Sequence, residues 1–79
     1  MHRFYFHLHE CGVSLIDEEG RELPSFEAAF KEAVIAARAI MGNEVASGYL
    51  CLDCHIEIVD SYGTTLAAVP FAEALTIQP

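Results

Sequence analysis

Residues 25–41, SFEAAFKEAVIAARAIM, form the only long segment with helical periodicity, and they decide the predicted fold. At about 100° per residue, the apolar side chains of this segment fall on one face of a helix. The predicted core-facing stripe consists of Phe26, Phe30, Ala33, Val34, Ala37, Ile40 and Met41. Ser25 is a suitable N-cap, and the helix is predicted to end at Gly42 or to continue to Gly48. Ile35 lies nearly opposite the stripe, which is typical either of an isolated exposed residue or of an interaction surface.

Strand-like segments flank this helix on both sides. In residues 3–9, apolar and polar side chains alternate, which predicts a half-buried strand. The inward set is Phe4, Phe6 and Leu8, and the outward set is Arg3, Tyr5, His7 and His9. Residues 13–17 are predicted as a second, shorter strand, and residues 18–22 as an acidic loop.

After the helix, residues 55–60 and 64–69 are predicted to form a hairpin around Gly63. The order strand, strand, helix, strand, strand predicts a single α+β domain over residues 1–79. We expect a small antiparallel sheet of three to four strands, with one main helix packed on one of its faces. The other face of such a two-layer domain stays open.

Charge and length exclude several classes of function. The chain has 79 residues, only four of them Lys or Arg, and a net charge of −8. Nucleic acids and anionic membranes attract clustered basic residues, so neither is an expected partner. No apolar run approaches the roughly 18 residues of a membrane span. The first ten residues lack the pattern of a secretory signal, so we expect a cytoplasmic protein with reduced cysteines.

Residues 51–55, CLDCH, carry the sharpest local signal in the sequence. The letters match the C-x-x-C-H pattern of covalent haem attachment, but that modification is expected in exported proteins. The same letters also suggest half of a zinc site. The ligands of that alternative are Cys51, Cys54 and His55, with His7, His9 or Cys11 to complete the set.

The geometry of these cysteines depends on the local backbone. In a straight strand, Cys51 and Cys54 would point to opposite faces, so the motif could not chelate a metal. A bend near Asp53 would be needed to bring the two thiols together. The alternative interpretation is that both cysteines are small apolar residues, at least one of them buried.

No recognisable catalytic motif is present in the sequence. Nucleophilic catalysis needs a thiol or hydroxyl with a base in reach, and Cys11 with His9 is the only near-neighbour pair. Residues 18–22 lack the alternating oxygen ligands of a calcium loop, and there is no Gly-rich phosphate loop. We therefore expect a non-enzymatic protein without a cofactor.

The leading functional hypothesis is an interaction module that forms a homodimer. The predicted outer sheet face would carry Tyr5, His7 and His9, and either this face or an edge strand would join two copies. Ile35 on the helix is a further interface candidate. Charged substitutions at Tyr5 and His7 should then lower the association state. The zinc protein described above is the alternative.

Several short motifs occur in an order and spacing that resemble a known protein family. They are RFYFHL (3–8), DEEG (17–20), ELP (22–24), the Ala-rich helix, HIEI (55–58) and Pro70-Phe71. Together they are similar to a family of short, stand-alone bacterial proteins described only as a domain of unknown function. The resemblance implies a small soluble protein with no established activity, so it assigns no catalytic residues. Cys51, Cys54 and His55 are not characteristic of that family pattern.

Overall fold

The structure, a computed structural model, describes residues 1–78 and contains one long helix and five strands. The elements are β1 (His2–Glu10), β2 (Val13–Leu15), β3 (Arg21–Leu23), α1 (Phe26–Ala46), β4 (His55–Asp60), β5 (Thr65–Pro70) and a final 3₁₀ turn (Phe71–Glu73). All strand pairs are antiparallel in one sheet of order β2-β1-β4-β5, and β3 also pairs with β1. The predicted α+β architecture, with one helix packed on an antiparallel sheet, is confirmed.

The structure adds a strand, β3, where the sequence predicted an acidic loop. β2 pairs with residues 8–10 of β1 and β3 pairs with residues 2–4, so together they form one interrupted sheet edge. In the interruption, Oδ2 of Asp17 accepts a hydrogen bond from the backbone N–H of Phe6 at 3.1 Å. β3 escaped prediction because an exposed edge strand lacks the alternation that burial of one face imposes.

The helix α1 begins as predicted but buries a different set of side chains. Oγ of Ser25 accepts a hydrogen bond from the N–H of Ala28 at 3.2 Å, which makes it the N-cap. The buried residues are Ala29, Ala33, Ala37, Met41 and Glu44. The predicted stripe is wrong at Phe26 and Phe30, which are each 41% exposed. Small alanines face the sheet, and the two phenylalanines lie beside this contact with ring centroids 6.1 Å apart.

The hydrophobic core lies between α1 and the sheet. Its buried strand residues include Phe4, Ile56, Ile58 and Val69. Phe71 from the 3₁₀ turn is fully buried in the same cluster, and its N–H donates a hydrogen bond to the carbonyl of Cys54 at 2.9 Å. The turn therefore fixes the backbone just before β4. Within residues 1–78, no helix has the length and apolar character required to cross a membrane.

Candidate metal centre

Three cysteine side chains converge at the end of the sheet where β1 stops and β4 starts. Cys11 lies in the tight turn between β1 and β2, and Cys51 and Cys54 lie in the segment between α1 and β4. The pairing of His9 with His55 explains this meeting, because Cys11 lies two residues beyond His9 and Cys54 lies one residue before His55. Two segments that are distant in sequence thus bring their thiols to one place.

The geometry of the three sulfur atoms suits a shared ligand. The atoms lie within 4.8 Å of one another, and the thiol of Cys54 donates a hydrogen bond to Sγ of Cys51 at 2.9 Å. The chain bends at Leu52 and Asp53 before β4 begins. Because of this bend, the two cysteines do not point to opposite faces as they would in a straight strand.

The three thiols differ in exposure and in acidity. Cys11 is exposed, Cys51 is half-buried, and Cys54 is only 1% exposed. Burial, together with the hydrogen bond to Cys51, raises the pKa of Cys54 to about 12. Hydrogen bonds from Cys11 and Cys54 lower the pKa of Cys51, and the contact with Cys51 raises the pKa of Cys11. Cys51 is therefore the sulfur that holds negative charge most readily in the absence of a metal.

The sulfur cluster opens into a depression of about 260 Å³, which we call the cysteine pocket. Its lining residues are Glu10, Cys11, Val13, Glu44, Tyr49, Cys51 and Cys54. No Lys, Arg or His of residues 1–78 belongs to this lining. The four basic side chains lie elsewhere: Arg3 at Glu19 and Glu22, Arg21 at Glu32, Arg38 at the carbonyl of Ala74, and Lys31 on the helix surface. Two carboxyl groups and three thiols therefore share the pocket without a protein cation.

Glu44 holds an unusual position in this pocket. It is only 7% exposed and lies in the last turn of α1, where the helix dipole disfavours negative charge. Its Oε1 accepts a hydrogen bond from the backbone N–H of Cys51 at 3.2 Å, and its carbonyl accepts one from Tyr49 at 3.0 Å. Glu44 thus anchors the start of the segment that carries two of the cysteines. A buried carboxylate is costly unless a positive charge or several donors compensate it.

The histidines predicted as ligands lie away from the sulfur cluster. His7 and His9 on β1 and His55 on β4 occupy the outer sheet face, opposite the helix. The rings of His9 and His55 stack with centroids 4.6 Å apart. In the part of the chain that the structure describes, the metal-ligating side chains that cluster are the three cysteines. The alternative ligand set is therefore assembled in part: Cys51 and Cys54 meet each other and Cys11, but no histidine.

A chain of polar side chains crosses the outer face. Nδ1 of His9 lies 2.9 Å from Oγ of Ser14, and Nε2 of His9 lies 2.9 Å from Oε1 of Glu57. The hydroxyl of Thr65 donates a hydrogen bond to the other oxygen of Glu57. The hydrogen bonds from Thr65 and His9 lower the pKa of Glu57. These side chains form hydrogen bonds with one another across β2, β1, β4 and β5, so they link the four strands on the outer face.

The interface candidates Tyr5 and His7 support the loop of residues 16–20. Nδ1 of His7 accepts a hydrogen bond from the N–H of Asp17 at 3.1 Å. The ring of Tyr5 lies so close to Gly20 that an added Cβ would come within 2.9 Å of Cε2. Ile35 is 58% exposed and borders a cleft of about 510 Å³ between α1 and this loop.

Glu44 is the site residue that the sequence reasoning missed. The predicted stripe stopped at Met41, whereas the helix continues to Ala46. The next position on the buried face after Ala33, Ala37 and Met41 is position 44, three residues on. A charged residue at that position of a buried stripe was the available signal.

Comparisons with known proteins give a family but no activity. No curated protein and no solved structure is significantly similar to this chain. A family model described as "Domain of unknown function (DUF6894)" matches residues 3–72, which include all three cysteines and Glu44. The predicted resemblance to a family of unknown function is thereby confirmed, and the chain belongs to the DUF6894 family.

Proposed function

We propose that this protein binds one thiophilic metal ion, in the first place Zn²⁺, through Cys11, Cys51 and Cys54. The observation that carries the proposal is the convergence of three sulfur atoms within 4.8 Å from two separate segments. Thiolates select Zn²⁺ and Cu(I) over the hard cations Mg²⁺ and Ca²⁺. The metal would join the tip of the β1–β2 hairpin to the segment before β4.

The separations of the sulfur atoms support this chemistry. Tetrahedral zinc with Zn–S bonds of about 2.3 Å places its sulfur ligands about 3.8 Å apart. The thiols of Cys51 and Cys54 are closer than that, at 2.9 Å, and all three sulfurs lie within 4.8 Å. Small rotations of the side chains would equalise the distances. Metal binding would also release the thiol protons and replace the hydrogen bonds among the three sulfurs with bonds to the metal.

We assign the metal a structural role in a non-enzymatic protein. A chain of 79 residues has a small core, and a metal is one of the usual means of stabilising such a domain. The free thiols need a reducing compartment, which supports a cytoplasmic location. The cluster joins two loop segments and lies at the margin of the core, as expected for a structural clamp.

Native mass spectrometry tests the proposal by measuring the metal content. The protein should be untagged and purified under reducing conditions. We expect one Zn²⁺ per chain in the wild type and its loss in Cys54→Ser. His55→Asn is the matched control, since His55 belongs to the sequence motif but lies outside the sulfur cluster, and it should keep the metal.

Two results would contradict the metal site. One is a fully reduced wild-type protein that takes up no metal when Zn²⁺ is added. The other is a Cys54→Ser variant that binds Zn²⁺ as tightly as the wild type.

We also propose that two copies pair through β5, which is a second candidate function. β5 has a strand neighbour, β4, on one side, and its sequence TLAAVP contains no charged residue. Natural edge strands commonly carry charges that prevent pairing with another chain. The outer face is a weaker candidate because His9, Glu57 and His7 are already engaged within the chain. Antiparallel pairing of two β5 strands is compatible with a two-fold axis.

Molar mass in solution tests the dimer, with two matched Ala→Lys variants. Ala68 is exposed on β5, and Ala36 is exposed on the helix away from that edge. We expect Ala68→Lys to be monomeric and Ala36→Lys to remain dimeric. A monomeric wild type at high concentration would refute the dimer, and a dimeric Ala68→Lys would refute the β5 edge as its interface.

A further inference from the structure

We propose that the carboxylate of Glu44 is the fourth ligand of the metal, which makes the site a closed Cys₃Glu centre. The inference rests on the proposed metal site and specifies its coordination. A structural zinc site has four protein ligands, whereas a site with three keeps a position open for water or substrate. The identity of the fourth group therefore decides between a structural and an open site.

The first argument is the burial of charge. Glu44 is 93% withdrawn from solvent, since its exposure is 7%, and the cysteine pocket contains no basic side chain from the described residues. It also lies at the helix end that carries the negative partial charge. A cation stabilises a carboxylate in such a position. Oε2 of Glu44 is open to the pocket, where a metal ion can reach it, and none of the Lys and Arg side chains among the described residues lies there.

The second argument is orientation. The backbone N–H of Cys51 donates to Oε1 of Glu44 at 3.2 Å, which holds the carboxyl group beside the first cysteine of the pair. That hydrogen bond leaves Oε2 without a protein donor. A rotation of the side chain would bring Oε2 to the metal, since the ligand atoms that lie within 4.8 Å of one another are the three sulfurs. Carboxylate oxygen binds Zn²⁺ at about 2.0–2.2 Å, and a hydrogen bond to the other oxygen is the usual support for such a ligand.

Glu10 is the competing carboxylate in the same pocket. It is half-exposed at the end of β1, so water can solvate its charge without a metal. It also has no backbone donor among the described residues that would aim it at the sulfurs. The geometry therefore favours Glu44 over Glu10, although both line the pocket.

The mixed ligand set predicts a preference among metals. Cu(I) is soft and is bound by thiolates, whereas Zn²⁺ accepts thiolate and carboxylate ligands together. Three thiolates and one carboxylate carry four negative charges, as does the Cys₄ set of structural zinc sites. We therefore expect a divalent ion with a tetrahedral preference, of which Zn²⁺ and its spectroscopic substitute Co²⁺ are the probes.

This assignment is tested by Co²⁺ titration of the reduced protein in the absence of oxygen. The intensity of the near-ultraviolet charge-transfer band counts the thiolates, and the visible ligand-field bands report the fourth donor. Glu44→Gln keeps an oxygen that can accept the N–H of Cys51 but removes the charge. We expect it to lower Co²⁺ affinity by at least about tenfold, with shifted visible bands and unchanged charge-transfer intensity. Glu10→Gln, the matched control, should change affinity less than about twofold, because a solvated carboxylate contributes little.

The stability of the metal-free variants separates a ligand from a merely structural residue. If Glu44 is a ligand, metal-free Glu44→Gln should be as stable as the wild type or more stable, because Gln keeps the oxygen that accepts the N–H of Cys51. A metal-free Glu44→Gln that is destabilised or unfolded would overturn the proposal. So would unchanged Co²⁺ affinity and spectrum in Glu44→Gln, or a loss of affinity in Glu10→Gln instead. A wild type that shows no thiolate charge-transfer band would refute the metal site itself, which is a different failure.

Discussion

The loop of residues 16–20 and the cysteine pocket both place acidic groups beside β1, but Asp17 in the loop has three backbone donors and Glu44 in the pocket has one. In the loop, Asp17 accepts hydrogen bonds from the backbone N–H groups of Phe6, Glu19 and Gly20 at 3.1, 3.3 and 3.0 Å. These bonds and the nearby His7 outweigh the effect of partial burial and lower the pKa of Asp17. All the hydrogen-bond donors that this carboxylate uses therefore come from the protein backbone.

The cysteine pocket is arranged in the opposite way. Its three thiols lie against one another and share the pocket with Glu10 and Glu44, and Glu44 has one backbone donor, the N–H of Cys51. The difference between the two regions teaches how to distinguish a structural turn from a binding site. Where the chain supplies enough donors for its negative groups, nothing further is needed, and where it does not, a cation from solution is the expected partner.

The largest expected effect is stabilisation of the cysteine pocket by metal. At a free Zn²⁺ concentration about 1,000 times the dissociation constant, binding should raise the free energy of unfolding by about 4 kcal/mol. Urea unfolding of the wild type with Zn²⁺ and with chelator measures this difference. Asp17→Asn should show the same increment, because its loop is independent of the site. Equal stability with and without Zn²⁺ would remove the contrast between the two regions.

The next effect concerns the backbone of the loop. Gly20 has φ +70°, and a Cβ there would lie 2.9 Å from the carbonyl oxygen of Phe4. Gly20→Ala should therefore lower the free energy of unfolding by about 2–3 kcal/mol, from the left-handed backbone and the clash together. Gly63→Ala is the matched control, because Gly63 has φ +84° with no atom within 4 Å of its added Cβ. It should be destabilised by only about 1 kcal/mol. Equal losses in both variants would show that the close contact at Gly20 has no effect.

The sequence predicted the parts of the fold that follow from periodicity. The helix, the strand of residues 3–9 and the hairpin around Gly63 were predictable because one face of each element is buried. β3 was not predictable, since its three residues are mostly exposed at a sheet edge and show no alternation of buried and exposed side chains. The core face of α1 was misjudged because pattern alone favours large apolar residues, whereas close approach to the sheet selects Ala29, Ala33 and Ala37.

Of the candidate site, the sequence predicted the cysteine pair and offered Cys11 as one of three residues to complete it, but it did not predict Glu44. Residues 51–55 drew attention as a motif, but whether the thiols could meet depended on a bend that local sequence does not specify. Cys11 lies beside the other two cysteines because of the register of β1 against β4, and this register depends on tertiary structure and not on local sequence. The histidines were assigned by residue type, and the pleat of the sheet turns them to the outer face.

A smaller effect is expected when Asp17 loses its charge. In Asp17→Asn, the side-chain oxygen can still accept bonds from the loop, but the amide nitrogen cannot accept the N–H of Phe6. We expect the free energy of unfolding to fall by about 1–2 kcal/mol, since one hydrogen bond to a charged group is lost. Glu18→Gln is the control, because Glu18 is an exposed neighbour whose removal should change stability by less than about 0.5 kcal/mol. A neutral Asp17→Asn would mean that the loop does not depend on this carboxylate.

The smallest effect is the pH dependence of the same loop. The pKa of Asp17 is lowered from its ordinary value of 3.8, so the folded state binds the proton more weakly than the unfolded state. The stabilisation from the carboxylate is therefore complete above the ordinary pKa and is lost as the pH falls through the lowered folded value. In urea unfolding with chelator present, the difference between wild type and Asp17→Asn should be constant above about pH 5 and shrink below about pH 4. A difference that stayed constant down to pH 2 would show that the lost interaction is packing and not charge, and Asp17 would then offer no contrast with the cysteine pocket.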